Sequence, residues 1–330
     1  MLLHSGLDAR HLVQMLGEAL NKEQEQWKPV SYKATSEELS GGQRDEKASW
    51  LVFLNSKFHF MPETFNLAVS ILDRFLQLVK VRPKYLHCVS VSCFYIAAKT
   101  LEEDEMIPST LDLVRQSECG CSVSEVLRME AIILNKLGWN PKHVTAINFL
   151  HIIHAVLMRH HPHLLDSLIQ MTPSSHMTIL TRKLFACLCC HHLLAFRPVS
   201  LVLALISLEI EQITAAWLPS IILLQKMTKV DSQDLIRCQE VVAQFLEHRR
   251  QRVTSYKFKP VPVRNKSKKR KVAPSGSDEE EEFYDGFKRL YNEESCSFDK
   301  PTSLRGSCGS EMHQDTDGEL YPQVQTICAN

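Results

Sequence analysis

The sequence predicts an all-α protein, two five-helix units in tandem followed by a disordered C-terminal tail. Three observations predict it. Glycine (11) and proline (14) are scarce among 330 residues, below the usual roughly 7% and 5%. Apolar residues recur at helical spacing up to about residue 248 and thin out abruptly after it. One local pattern also occurs twice. Arg82-Pro83-x-x-Leu86 and Arg197-Pro198-x-x-Leu201 each open a strongly apolar segment, and they lie 115 residues apart. Such an offset is the signature of a duplicated structural unit.

Residues 1–43 are read as an N-terminal helix and linker, 44–142 as the first unit, 143–248 as the second and 249–330 as the tail. In the first unit, residues 62–79 place Phe65, Ala68, Val69, Leu72, Phe75, Leu76 and Val79 on one helix face, and Pro62 suits the first turn. Residues 83–100 differ, because Leu86, Val89, Cys93, Ile96 and Ala97 line one side while Val91, Phe94 and Ala98 occupy others. A helix apolar nearly all round is wrapped by its neighbours. Two shorter amphipathic stretches follow, at about 108–116 and 122–137. The second unit repeats the order, with amphipathic stretches at about 175–193, 217–227 and 231–248 around the buried segment that starts at Pro198.

Several function classes fall away on composition. Basic and acidic side chains number 38 each, so the formal charge is zero; whole-chain charge identifies no partner, and no nucleic-acid partner is expected. The longest apolar run, Val199 to Leu208, is half of the roughly 20 residues that cross a bilayer, so no membrane association is expected. The opening residues have no apolar region suited to a secretory leader, and the eleven cysteines are read as reduced thiols. The zero charge is a sum of unlike parts. Residues 1–248 carry −2, residues 249–271 carry eleven Lys or Arg and no acid, and residues 272–330 carry −9.

Signatures of catalysis are missing: there is no GxGxxG, GxxxxGK[ST], HExxH or GxSxG. No enzyme activity, cofactor or metal is expected. Cys187, Cys189, Cys190, His191 and His192 crowd six residues, and Cys119 and Cys121 form another pair. Neither group has the paired spacing of a zinc site, so both are read as small buried thiols. The run Lys266, Lys268, Lys269, Arg270, Lys271 reads as a nuclear-import signal, which implies an import receptor and a nuclear protein with a cytoplasmic pool. Ser275 and Ser277 stand just before Asp278 and four glutamates; phosphorylation there would add about 1.5 to 2 negative charges per site beside the basic run. Phe283, Tyr284, Phe287, Leu290 and Tyr291 form a short apolar recognition element for a tail-binding protein.

Four stretches taken together resemble the cyclins. They are Arg44 with Trp50-Leu51; Leu72-Asp73-Arg74-Phe75-Leu76; Ile96-Ala97-Ala98-Lys99 followed by Glu102-Glu103; and Val126-Leu127-Arg128-Met129-Glu130 running to Leu137-Gly138-Trp139-Asn140. The resemblance spans roughly residues 20–248, with Thr145 and Phe149-Leu150 opening the more divergent second box. It is strongest to the atypical G/I-like group.

The resemblance implies two tandem five-helix cyclin boxes and a cyclin-dependent kinase as heterodimer partner, with the chain acting as a regulatory subunit. In that family the residues matching Lys99 and Glu130 hydrogen-bond to the kinase, and those matching Ile96, Leu134 and Trp139 cradle its C-helix. Arg44 and Asp73 match a structural pair inside the first box. The alternative is a cyclin-fold adaptor that binds proteins without activating a kinase. Cell-cycle cyclins dock substrates on a Met-Arg-x-Ile-Leu patch before the tryptophan; Gln43, Glu46 and Lys47 stand there instead, so an apolar groove is not expected.

Overall fold

Every regular element among the described residues is helical. The structure is a computed structural model, and it describes residues 9–29 and 39–248. The N-terminal helix α1 (Ala9–Gln26) buries Leu12, Leu16, Ala19 and Glu23 on one stripe. The first box comprises α2 (Gly41–Lys57), α3 (Pro62–Leu78), α4 (Leu86–Leu101), α5 (Thr110–Ser117) and α6 (Val123–Lys136). The second comprises α7 (Ala146–His160), α8 (Pro173–Leu188), α9 (Pro198–Ile213), α10 (Leu218–Thr228) and α11 (Ser232–His248).

The helix starts follow capping chemistry. Ser40 and Gln43 form a capping box on α2, Ser122 and Glu125 one on α6, and Thr145 and Asn148 one on α7. Each satisfies amide donors that the first turn cannot pair internally. Proline occupies the first turn of α3, α8 and α9, where its missing N–H costs nothing. At the start of α3 no side chain of the cap residue helps. Glu102, at the end of α4, supplies the acceptor instead, taking hydrogen bonds from the Met61 N–H at 2.8 Å and from the Thr64 hydroxyl.

The central helices α4 and α9 are those the duplicated pattern announces. Ser90, Val91, Cys93, Phe94, Ala97 and Ala98 of α4 are all buried, as are Val202, Leu203, Ala204, Leu205 and Ile206 of α9. Around α4 lies the first core, with Leu51, Phe65, Leu72, Phe75, Val126 and Ile133. Around α9 lies the second, with Phe149, Ile153, Leu180, Leu184, Leu224 and Val242.

Helix α1 adds its stripe to the second core rather than the first. Its Glu23, wholly buried, accepts from Arg197 Nε at 3.0 Å and from the Val199 amide at 2.9 Å. It therefore anchors the chain just before α9. Burial pushes the Glu23 carboxyl up from its ordinary range, against the lowering effect of the Val199 amide and Arg197.

The two boxes share a seam. Phe185 and Leu188 of α8 and the following Cys189 pack into the first core, with the Phe185 and Phe65 rings 4.3 Å apart. Arg44, fully buried, donates to both carboxylate oxygens of Asp73, at 2.8 Å through Nε and at 2.6 Å through Nη2. Arg44 and Asp73 thus form a buried pair. The Arg44 Nη1 also reaches the Leu188 carbonyl at 2.6 Å, so the pair ties the boxes together. Beside it, His191 Nδ1 lies 2.7 Å from Asp45 Oδ2. Gly41 allows this approach, since a Cβ there would meet the His191 ring at 2.3 Å.

Candidate functional site

Helices α4 and α6 pack side by side and bring Lys99 next to Glu130, 31 residues apart in sequence. Lys99 Nζ donates to Glu130 Oε1. The lysine side chain is 38% exposed and the glutamate 11%, so the pair sits at the surface with the carboxylate recessed. The ammonium also lies 4.4 Å from the centre of the Tyr95 ring, a cation–π arrangement. The Tyr95 hydroxyl is fixed in turn, donating to the Pro108 carbonyl at 3.3 Å and accepting from Thr110 at 3.2 Å. Lysine has three N–H donors and no acceptor; bonded to Glu130, it keeps donors for carbonyl oxygens arriving from outside.

The same helix presents apolar surface. Leu127, Glu130 and Leu134 follow one another at i, i+3 and i+7, with Leu127 exposed and Leu134 half-buried. Trp139 is 67% exposed, yet its position is fixed by the end of α6. The Trp139 amide donates to the Leu134 carbonyl at 2.8 Å and the Gly138 amide to the Asn135 carbonyl at 3.2 Å. This is a Schellman cap, with Gly138 at the left-handed position (φ 62°). The indole Nε1 donates to Asn135 Oδ1 at 2.9 Å. A large aromatic is thus held out toward solvent in one orientation, beside a charged pair.

The expected cradle of Ile96, Leu134 and Trp139 needs one correction. Ile96 is only 2% exposed and belongs to the first core. Its position along α4, in register with Val89 and Cys93, turns it inward, so it backs the face without forming it. Leu127 and Asn135 belong to the face, Tyr95 supports Lys99 from beneath it, and none of the three was anticipated. The spacing of Leu127 to Leu134 was a visible signal for the first; the other two follow from contacts made only on folding.

The region around Gln43, Glu46 and Lys47 is polar. Gln43 is occupied by the α2 cap, Glu46 and Lys47 pair at 2.8 Å, and Trp50 meets the His87 ring edge-on at 4.2 Å. The Lys47 hydrogen bond holds the Glu46 carboxyl below its ordinary range. Of the clustered thiols, Cys119, Cys187, Cys189 and Cys190 are buried, and burial raises Cys190 above the usual thiol range. Among the described residues no group of three or more His, Cys, Asp or Glu could hold a metal ion. Lys266, Lys268, Lys269, Arg270, Lys271, Ser275, Ser277, Phe283, Tyr284, Phe287, Leu290 and Tyr291 lie outside the described residues.

Comparison with known proteins places these observations. The pattern of the family described as "Cyclin, N-terminal domain" matches residues 14–141. Human Cyclin-G1 is 38% identical over 204 residues, covering 62% of this chain and 67% of that protein. The chain belongs to the cyclin family. Human Cyclin-I2 is 37% identical over 244 residues, covering 74% of this cyclin and 65% of the relative's length. Among solved structures, a viral cyclin from herpesvirus saimiri aligns with a TM-score of 0.54 at 17% identity, over 70% of this cyclin and 97% of that chain. That likeness concerns the fold of the two boxes. The kinship extends to the G and I types.

Proposed function

We propose that this cyclin is a non-catalytic regulatory subunit that binds a cyclin-dependent protein kinase through the Lys99/Glu130 face of its first box, and activates or positions it. The observation that supports this most is the Lys99–Glu130 pair set beside the pinned, exposed Trp139. Tryptophan is among the residues that dominate binding energy at interfaces. Holding it in one orientation lowers the entropy lost on association. Lys99 offers donors to the partner's carbonyl groups, and Glu130 orients the ammonium. Acting on a kinase, such a face selects the form whose C-helix is turned inward and whose activation loop is open. Moving that equilibrium from 1:99 to 99:1 needs about 5.5 kcal/mol of differential binding, within reach of a standard-sized interface with a few desolvated anchors.

The test is affinity purification with mass spectrometry, comparing the full chain with its Lys99→Ala/Glu130→Ala variant. The kinase is expected to be lost from the variant while the other partners remain. Recovery of the same kinase with unchanged activity would instead favour the adaptor reading. Nuclear import through Lys266, Lys268, Lys269, Arg270 and Lys271 is part of the same proposal. Alanine at all five is expected to move a fluorescent fusion from nucleus to cytoplasm; an unaltered distribution would count against an import role, and with it against regulation by Ser275 and Ser277.

A further inference from the structure

A cavity of about 300 Å³ opens at the seam of the two boxes, with the end of α6 (Lys136, Leu137) in its lining. It lies where the end of α1, the outer side of α3, the inter-box linker and the chain after α8 converge. Its apolar wall is made by Val69, Ala146, Leu193, Phe196 and Leu201, with Trp27 at one side. Its volume falls at the lower end of the range for ligand pockets, and junctions between domains are a usual place for them.

The polar lining is one-sided. Among the described residues that line the cavity, Lys28, Arg74, Lys136 and His143 stand against one carboxylate, Asp73, and both Asp73 oxygens already accept from Arg44. Arg74 is half-buried. Its two terminal nitrogens donate to the Pro141 carbonyl at 3.2 Å and the Asn140 carbonyl at 3.0 Å, both neutral groups, and among the described residues no carboxylate pairs with it. Burial lowers the Arg74 guanidinium from its ordinary range, and burial followed by the charge of Arg74 lowers His143. A half-buried cation without a counter-ion is costly unless something anionic comes to it. In the same wall Asn66 donates through Nδ2 to the Pro62 carbonyl at 3.0 Å, while its buried Oδ1 has no hydrogen bond.

We propose that this cavity docks an acidic peptide segment of a partner protein. The segment seats an apolar side chain against Val69, Phe196 and Leu201, places a flanking carboxylate on Arg74, Lys136 and Lys28, and gives a backbone N–H to Asn66. The requirement for an N–H donor together with an anion favours a peptide over a simple apolar acid. The site gives this cyclin a docking position apart from the polar region around Gln43, Glu46 and Lys47. It stands on the seam geometry alone and is independent of the kinase reading.

The experiment uses the full chain without any kinase. Fluorescein-labelled octapeptides with a central Phe flanked by Glu are titrated by anisotropy, beside peptides with Lys in place of Glu and with Ala in place of Phe. The Glu/Phe peptide is expected to bind at least tenfold tighter than either control, to weaken with added salt, and to alter the emission of Trp27, a change lost in Trp27→Phe. Lys28→Glu/Lys136→Glu, at two exposed positions, is expected to weaken binding at least tenfold with an unchanged melting temperature. Arg74→Gln should do the same, and the lysine pair decides the matter if that variant does not fold. Equal binding of the Glu and Lys peptides, no loss in the lysine variant, or binding of decanoate with none of the Glu peptides would overturn the proposal.

Discussion

Arg44 shows what one buried side chain holds in this fold. Both Asp73 oxygens and the Leu188 carbonyl depend on it, and its removal leaves a buried carboxylate without its charge partner. Arg44→Ala is expected to destabilise the protein by about 3 to 5 kcal/mol, as for other broken buried pairs, read as a lower urea midpoint. Arg44→Met/Asp73→Leu should recover part of the loss only, because the Leu188 carbonyl remains unpaired. Full recovery would show that the contact across the seam contributes nothing. The pairing of Arg44 with Asp73 was legible through the family resemblance. Its reach to Leu188, 144 residues downstream, was not, because no periodicity links a side chain of α2 to a backbone carbonyl at the end of α8. Ile96 gives the converse lesson. Its own apolar spacing placed it inside, and only the carry-over from relatives put it on the surface.

Among elements, the contact of α7 with α8 holds a buried pair of histidines. His154 and His176 are fully buried, with Nε2 and Nδ1 3.0 Å apart. Burial pushes His154 down to about 3 and His176 down to about 4, from an ordinary value of 6.5. Both are therefore neutral in the fold at pH 7, and the unfolded chain takes up their protons first. Between about pH 6.5 and pH 4 the unfolded state binds more protons, so stability falls as the pH falls through that window. His87, His143 and His151 are lowered as well and act in the same direction. Urea unfolding at pH 7.5 and 5.0 should show the loss, and His154→Gln/His176→Gln should shrink it. An equal midpoint at both values would refute the assignment. The helices themselves were legible. The 62–79 stripe became α3, and the two Arg-Pro starts became the approaches to α4 and α9, because burial of one face is written in residue spacing. The Glu102 contact at the start of α3 was not, since its partners lie some forty residues away.

At the scale of the whole molecule, α1, the seam and the Lys99/Glu130 face divide the work. Helix α1 closes the second core through Leu12, Leu16 and Ala19 and fixes the approach to α9 through Glu23. Nothing local in residues 1–43 said which core it would join; that choice depends on the surface the folded second box leaves open. The seam holds the boxes together through Phe185, Arg44 and His191. This leaves the Lys99/Glu130 face of the first box open, with Leu127 and Trp139 exposed beside it. The proposed function stands on that face, so its most direct test is a footprint. Amide hydrogen exchange of the full chain, alone and in the complex recovered with its kinase, reads where the partner lies. Protection is expected at the end of α4 around Lys99 and along α6 through Trp139, with the second box unchanged. Protection confined to α8 through α11, with α4 and α6 exchanging as in the free chain, would contradict it.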